Sequence, residues 1–142
     1  MPDQLSFENV SIYYNKIVND GKLDNNSDLS ARLYLYLTLI KKLGDPTMSE
    51  LAASARVSKP AVSNAVKKLQ EMGLIGVRES DKDKRVSHLC ISSTGKKVLE
   101  VLDSADQQFF RKIGEILGDE DFKLFADLWD RMSRGLEEET KS

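Results

Sequence analysis

Two stretches of this sequence carry side chains whose types and spacing suit contact with a polyanion. The first is Ser58 to Lys68, SKPAVSNAVKK. Val62, Ala65, Val66 and then Leu69 recur there at helical spacing, leaving Lys59, Pro60, Ala61, Ser63, Asn64, Lys67 and Lys68 on the other side. A helix of this kind fits a DNA major groove about 12 Å wide, where its first turns reach base edges and flanking groups hold phosphates. Small residues such as Ala61 and Ser63 let the backbone approach, Asn64 can offer paired hydrogen bonds to adenine, and Lys59, Lys67 and Lys68 can neutralise phosphates. Ser58 stands at the helix N-terminus, where free N–H groups and the dipole also favour a phosphate. The second stretch is ESDKDKRVSH, Glu79 to His88, with six charged residues in its first seven positions. Such a run between structured segments is most often a solvated turn, so its neighbours decide what it does.

Those neighbours are legible. Leu5, Phe7, Val10, Tyr13, Tyr14, Ile17 and Val18 predict a first amphipathic helix closed by Gly21 and DNNSD. A second helix is expected from about Leu29 to Leu43, stopped by Gly44 and Asp45-Pro46; its LYLYLTLI run alternates like a strand, but its length and flanking stop signals favour a buried helix. Thr47 and Glu50 have the spacing of a capping box, so a short helix should start there with Leu51, Ala52 and Ala55 inward. After ARVS, Ser58 offers a cap and Pro60 suits the first turn of the next helix, which Gly73 ends. Residues 74–78 and 86–91 are short runs rich in β-branched residues flanking the charged stretch, a hairpin pattern. A long helix follows from Ser93 or Thr94 to Gly118, then a last one from about Glu120, with a polar tail, EEETKS, expected to fray. Two short helices with a tight turn and a basic hairpin straight afterwards make a winged helix-turn-helix.

Composition narrows the function classes. The 142 residues suit one core, and no apolar run approaches the roughly 18 residues of a membrane span. MPDQLSFENV lacks the basic and apolar regions of a secretory signal, so a cytoplasmic location is expected. Cys90 and His88 are each the sole residue of their type, which argues against an internal disulfide or a metal centre of soft ligands; both read as structural strand residues, and no cofactor is expected. Net charge is −2, yet residues 49–97 hold ten basic against five acidic side chains, +5, while the remainder holds eleven against eighteen, −7. A basic middle between acidic ends suits a polyanion partner for the middle alone.

From Ser49 to Glu100 the chain resembles the winged helix-turn-helix region of the MarR family of bacterial transcriptional regulators. The motifs are Ser58-Lys59-Pro60-Ala61-Val62-Ser63, Lys68 to Ile75 (KLQEMGLI), Asp83-Lys84-Arg85 and Ile91-Ser92-Ser93-Thr94-Gly95, in the family's order. The resemblance implies one mainly α domain, 1–142, with a small β-hairpin: a DNA-binding lobe at 29–92 and dimerisation helices at 5–20 and 94–138. It also implies a homodimer on a pseudo-palindromic operator of double-stranded DNA. At the wing it implies that Arg85 enters the minor groove with Asp83 orienting its guanidinium, and Lys82 and Lys84 are phosphate contacts beside it. The turn carries Arg56 near the place where many helix-turn-helices have glycine.

An ordinary surface helix solvated by its lysines would share the pattern of residues 58–71, and the wing tips the reading towards DNA. The alternative is a winged-helix module that binds protein and never DNA. An enzyme is least supported, since no catalytic constellation assembles from these residues. Most aromatic side chains read as core or interface; Tyr13, Tyr34 and Tyr36 are the candidates for an aromatic-effector pocket, an expectation drawn from the family.

Overall fold

The computed structural model describes residues 5–21 and 31–141. In chain order the elements are α1 (Glu8–Asp20), α2 (Ala31–Leu43), α3 (Met48–Ala55), α4 (Lys59–Glu71), β1 (Ile75–Glu79), β2 (Ser87–Ile91), α5 (Ser93–Leu117) and α6 (Asp119–Lys141). The chain divides into two compact units, Asp24–Glu100 on the one hand, Met1–Leu23 with Val101–Ser142 on the other, and the division falls within α5. Among the described residues no helix is long and apolar enough to cross a membrane.

In the 24–100 unit, α2 resolves the ambiguity of LYLYLTLI. Leu33, Tyr36, Leu37 and Ile40 are buried at helical spacing, whereas Leu35, which a strand would have placed beside Leu33 and Leu37, is 55% exposed. The expected start at Leu29 lies outside the described residues. Gly44 and Asp45 both take positive φ, 69° and 52°, and turn the chain out of α2. Thr47 then caps α3, its hydroxyl accepting the Glu50 N–H at 3.2 Å. The reciprocal half of the box differs from expectation: the same hydroxyl donates to the Glu50 carboxylate at 3.2 Å, because a hydroxyl both donates and accepts.

α3 and α4 end in the same way. Val57 N–H donates to the Ala52 carbonyl and Arg56 N–H to that of Ala53, as Leu74 does to Leu69 and Gly73 to Gln70. Arg56 thus takes the left-handed conformation, φ 55°, that Gly73 takes at 72°. Between these turns, Ser58 Oγ accepts the Ala61 N–H at 3.3 Å and Pro60 occupies the first turn of α4. Val62, Ala65, Val66 and Leu69 are buried, against a core that includes Leu37, Ile40 and Leu51.

The hairpin is antiparallel, from Ile75 opposite Ile91 to Glu79 opposite Ser87. Its base is tied to the exit of α4 through Ser92. The Ser92 hydroxyl donates to the Gly73 carbonyl at 2.6 Å and accepts the Gly95 N–H at 3.0 Å, while Ser92 N–H donates to the Leu74 carbonyl at 3.0 Å. Gly95 presses on that carbonyl: a Cβ there would stand 2.1 Å from Leu74 O and 2.9 Å from Ile91 Cγ2. The glycine of the Ile91–Gly95 motif is therefore a steric requirement.

In the other unit, Ile17 and Val18 of α1 are buried, as are Ala105 and Phe109 of α5. Tyr14 donates to the Asp106 carboxylate at 2.7 Å, and Tyr13, Tyr14 and Phe110 surround the Phe109 ring with centroids 5.2–6.4 Å away. α1 begins at Glu8 rather than Leu5, because Ser6 Oγ accepts the Glu8 N–H in a local turn that precedes the helix. At the other end α6 continues through Glu137 to Lys141, residues expected to fray, in keeping with the good helix propensity of its glutamates.

Gly95→Ala is expected to cost about 2 kcal/mol or more of stability, since a backbone carbonyl cannot step aside as a flexible side chain can. Urea unfolding of the variant beside Gly135→Ala, whose added Cβ meets nothing within 4 Å, checks this.

Candidate nucleic-acid interface

α4 presents Lys59, Pro60, Ser63, Asn64, Lys67 and Lys68 to solvent, with Ala61 half-buried at the edge of the core. The fold asks nothing of most of these side chains, because the buried stripe on the opposite face holds the helix. Ser58 is exposed and its hydroxyl caps the helix, so a group approaching it meets the remaining N–H groups of the first turn.

At the far end of the hairpin the chain closes through Ser80 N–H to the Val86 carbonyl at 2.8 Å and Val86 N–H to the Asp83 carbonyl at 3.0 Å. Lys82 N–H donates to Ser80 Oγ at 3.3 Å. Within this turn Asp83 takes hold of Arg85 at three atoms. Its Oδ1 accepts the Arg85 backbone N–H at 3.0 Å and Nε–H at 3.1 Å, and Oδ2 accepts Nη2–H at 3.2 Å. The Arg85 side chain is nonetheless 90% exposed. An ion pair this open adds little to stability; what it supplies is direction, since a two-point fork removes the rotamer freedom of a long side chain. Lys82 and Lys84 flank it, exposed, and Glu79 and Asp81 are exposed too. Hydrogen bonds from the Arg85 side chain and backbone hold the Asp83 carboxyl below the usual carboxylate range.

The tyrosines expected to line an effector pocket fall in both units. Tyr34 and Tyr36 belong to the 24–100 unit, where Tyr36 is only 3% exposed and burial pushes the half-buried Tyr34 hydroxyl upward in pKa. Tyr13 belongs to the other unit, beside Phe109. Among the described residues a cavity of about 600 Å³ lies along α4, lined by Arg32, Leu33, Asn64, Lys68 and their neighbours. The sequence reading also missed a set of bonds from the hairpin to the segment after α2. His88 Nδ1 lies 2.8 Å from the Asp45 carbonyl, Leu89 N–H donates to the Pro46 carbonyl at 2.8 Å, and Arg78 pairs with the Asp45 carboxylate at 3.4 Å. Only the isolated polar types of Asp45, Arg78 and His88 hint at it, with no spacing rule to join them.

A family model described as the MarR family matches residues 29–87. The HTH-type transcriptional regulator BilQ of Clostridium symbiosum (strain WAL-14163) is 30% identical over 102 residues, covering 72% of this chain and 70% of that protein. The chain belongs to the MarR family. The HTH-type transcriptional regulator FarR of Neisseria gonorrhoeae is 24% identical over 104 residues, 73% of this chain and 71% of the relative. The S. aureus MepR–DNA complex is similar in fold, with a TM-score of 0.72 at 17% identity over 92% of this chain and 96% of that one. The winged helix-turn-helix of this MarR-family regulator is thus α3, α4 and the β1–β2 hairpin.

The depressed Asp83 value sets a pH dependence. The unfolded carboxyl binds its proton more readily than the folded one, so the fork is complete above the ordinary carboxylate range and is lost as pH falls through the folded value. In an NMR titration the Arg85 Nε–H resonance should move with the Asp83 carboxyl at a midpoint below that of a free aspartate; a normal midpoint would contradict the fork.

Proposed function

We propose that this MarR-family regulator is a homodimeric, sequence-specific repressor that occludes a promoter by binding a pseudo-palindromic site in double-stranded DNA. α4 reads the major groove through Ala61, Ser63 and Asn64, with Ser58, Lys59, Lys67 and Lys68 at the phosphates. Arg85 probes the minor groove between Lys82 and Lys84, where narrow walls concentrate negative potential. The observation that carries the reading is the Asp83 fork, which holds a fully charged and open guanidinium in one pose at the tip of the hairpin. A solvated turn has no use for that arrangement.

A second copy is the partner that suits the apolar side chains left open outside the 24–100 unit, among them Phe7 at 80% and Ile116 at 69% exposed. Two copies related by a two-fold axis read half-sites about one helical turn apart. Work on DNA places the protein in the cytoplasm. A small aromatic effector releases the site by shifting the population of dimer spacings; the cavity beside α4 supports this half, because an occupant there would lie against Asn64 and Lys68.

Arg85→Ala should weaken duplex binding roughly tenfold or more while sedimentation still reports a dimer. Wild-type affinity should fall with salt at a slope near −0.9 per phosphate contacted. Undiminished binding by Arg85→Ala would leave the wing without a DNA role, whereas wild-type protein that binds no duplex would favour a protein-binding module.

A further inference from the structure

The hairpin has to aim Arg85 as well as carry it. Its base is fixed at the exit of α4, through Ser92 to Gly73 and Leu74. A two-stranded arm fixed only at its base can pivot. In this protein the arm is gripped a second time, on the link between α2 and α3. Pro46 of that link is fully buried, and Asp45 before it is set by a left-handed φ of 52°. Arg78 and His88 are direct cross-strand partners, so Asp45 takes hold of both strands at one level.

The bonds in this grip are unequal. The Arg78–Asp45 pair is long, 3.4 Å, and about half exposed on both sides, so screening leaves it little force. The His88 and Leu89 bonds to the Asp45 and Pro46 carbonyls are 2.8 Å each and lead to backbone that the buried proline keeps still. A carbonyl can only accept, so Nδ1 of His88 carries the proton in this bond. Arg85 stands three residues beyond His88, at most about 10 Å of extended chain, so a rotation at the grip is carried to the guanidinium.

We infer that His88 and Asp45 are positioning residues for the wing: they tie it to the segment leading into the helix-turn-helix and so set where Arg85 is presented relative to α4. This role rests on the DNA-contact reading of Arg85. It requires no contact of His88 with DNA.

The test is a double-mutant cycle of His88→Ala and Arg85→Ala on one duplex, with amide exchange at Leu89 as a readout that needs no DNA. In His88→Ala the Leu89 amide is expected to exchange roughly fivefold faster, with unfolding still cooperative and duplex affinity lower by a similar factor. In the Arg85→Ala background the same substitution should cost almost nothing further, because the arm then has nothing to aim. His88→Asn, whose Nδ2–H stands near the place of the ring donor, should restore both readouts. Unchanged exchange at Leu89, or the full loss repeated in the Arg85→Ala background, would overturn the positioning role. Wild-type protein that binds no duplex would overturn the DNA reading and this role together, whereas a wild type and a His88→Ala variant that bind equally well overturn the positioning role alone.

Discussion

Gly95 lies against the carbonyl of Leu74 with no room for a methyl group, and much of the 24–100 unit depends on that contact. The exit of α4, the start of β1, the end of β2 and the first turn of α5 all meet there. Ser92 binds them with one hydroxyl that donates to Gly73 and accepts from Gly95. The surface helix and the arm carrying Arg85 therefore share an origin, and their relative placement is set where side chains are small. Core packing by Leu69, Leu74 and Leu89, all fully buried, holds that junction in place.

The structural duties of α4 fall on one face. The buried stripe of α4 stabilises the helix, and its capping residues stop and start it, which leaves the exposed lysines and Asn64 free of obligations to the fold. Asp83 and Ser58 are the exceptions. Asp83 spends both carboxylate oxygens on Arg85 and Ser58 spends its hydroxyl on the helix end, so each acts on a neighbour's geometry. An open ion pair such as Asp83–Arg85 stabilises the chain little, and its conformational effect outweighs its energy.

Much of this was legible in the sequence because the signals are local. Thr47, Ser58, Pro60 and Gly73 mark helix ends by chemistry acting within a few residues, and they fall where the helices begin and end. The alternation of LYLYLTLI could have misled, but a helix places Leu33, Tyr36, Leu37 and Ile40 on one side, and burial follows that spacing. Boundaries were less secure: Ser6 delays α1 to Glu8, and the glutamates near the C-terminus carry α6 to Lys141. The grip of Asp45 and Pro46 on the hairpin left only isolated polar residue types in the sequence. A bond between a ring nitrogen and a backbone carbonyl 43 positions away has neither period nor motif, and the same holds for the cavity beside α4.

We propose that α4 and Arg85 together read DNA as a two-fold pair. Selection of bound duplexes from a random-sequence library tests it most directly, because it presupposes neither operator nor effector. The expected result is enrichment of a pseudo-palindrome whose half-sites lie about one helical turn, roughly 10 base pairs, apart, flanked by A·T-rich steps that narrow the minor groove for Arg85. A library that emerges without any enriched sequence, or with a single unrepeated half-site, would contradict it.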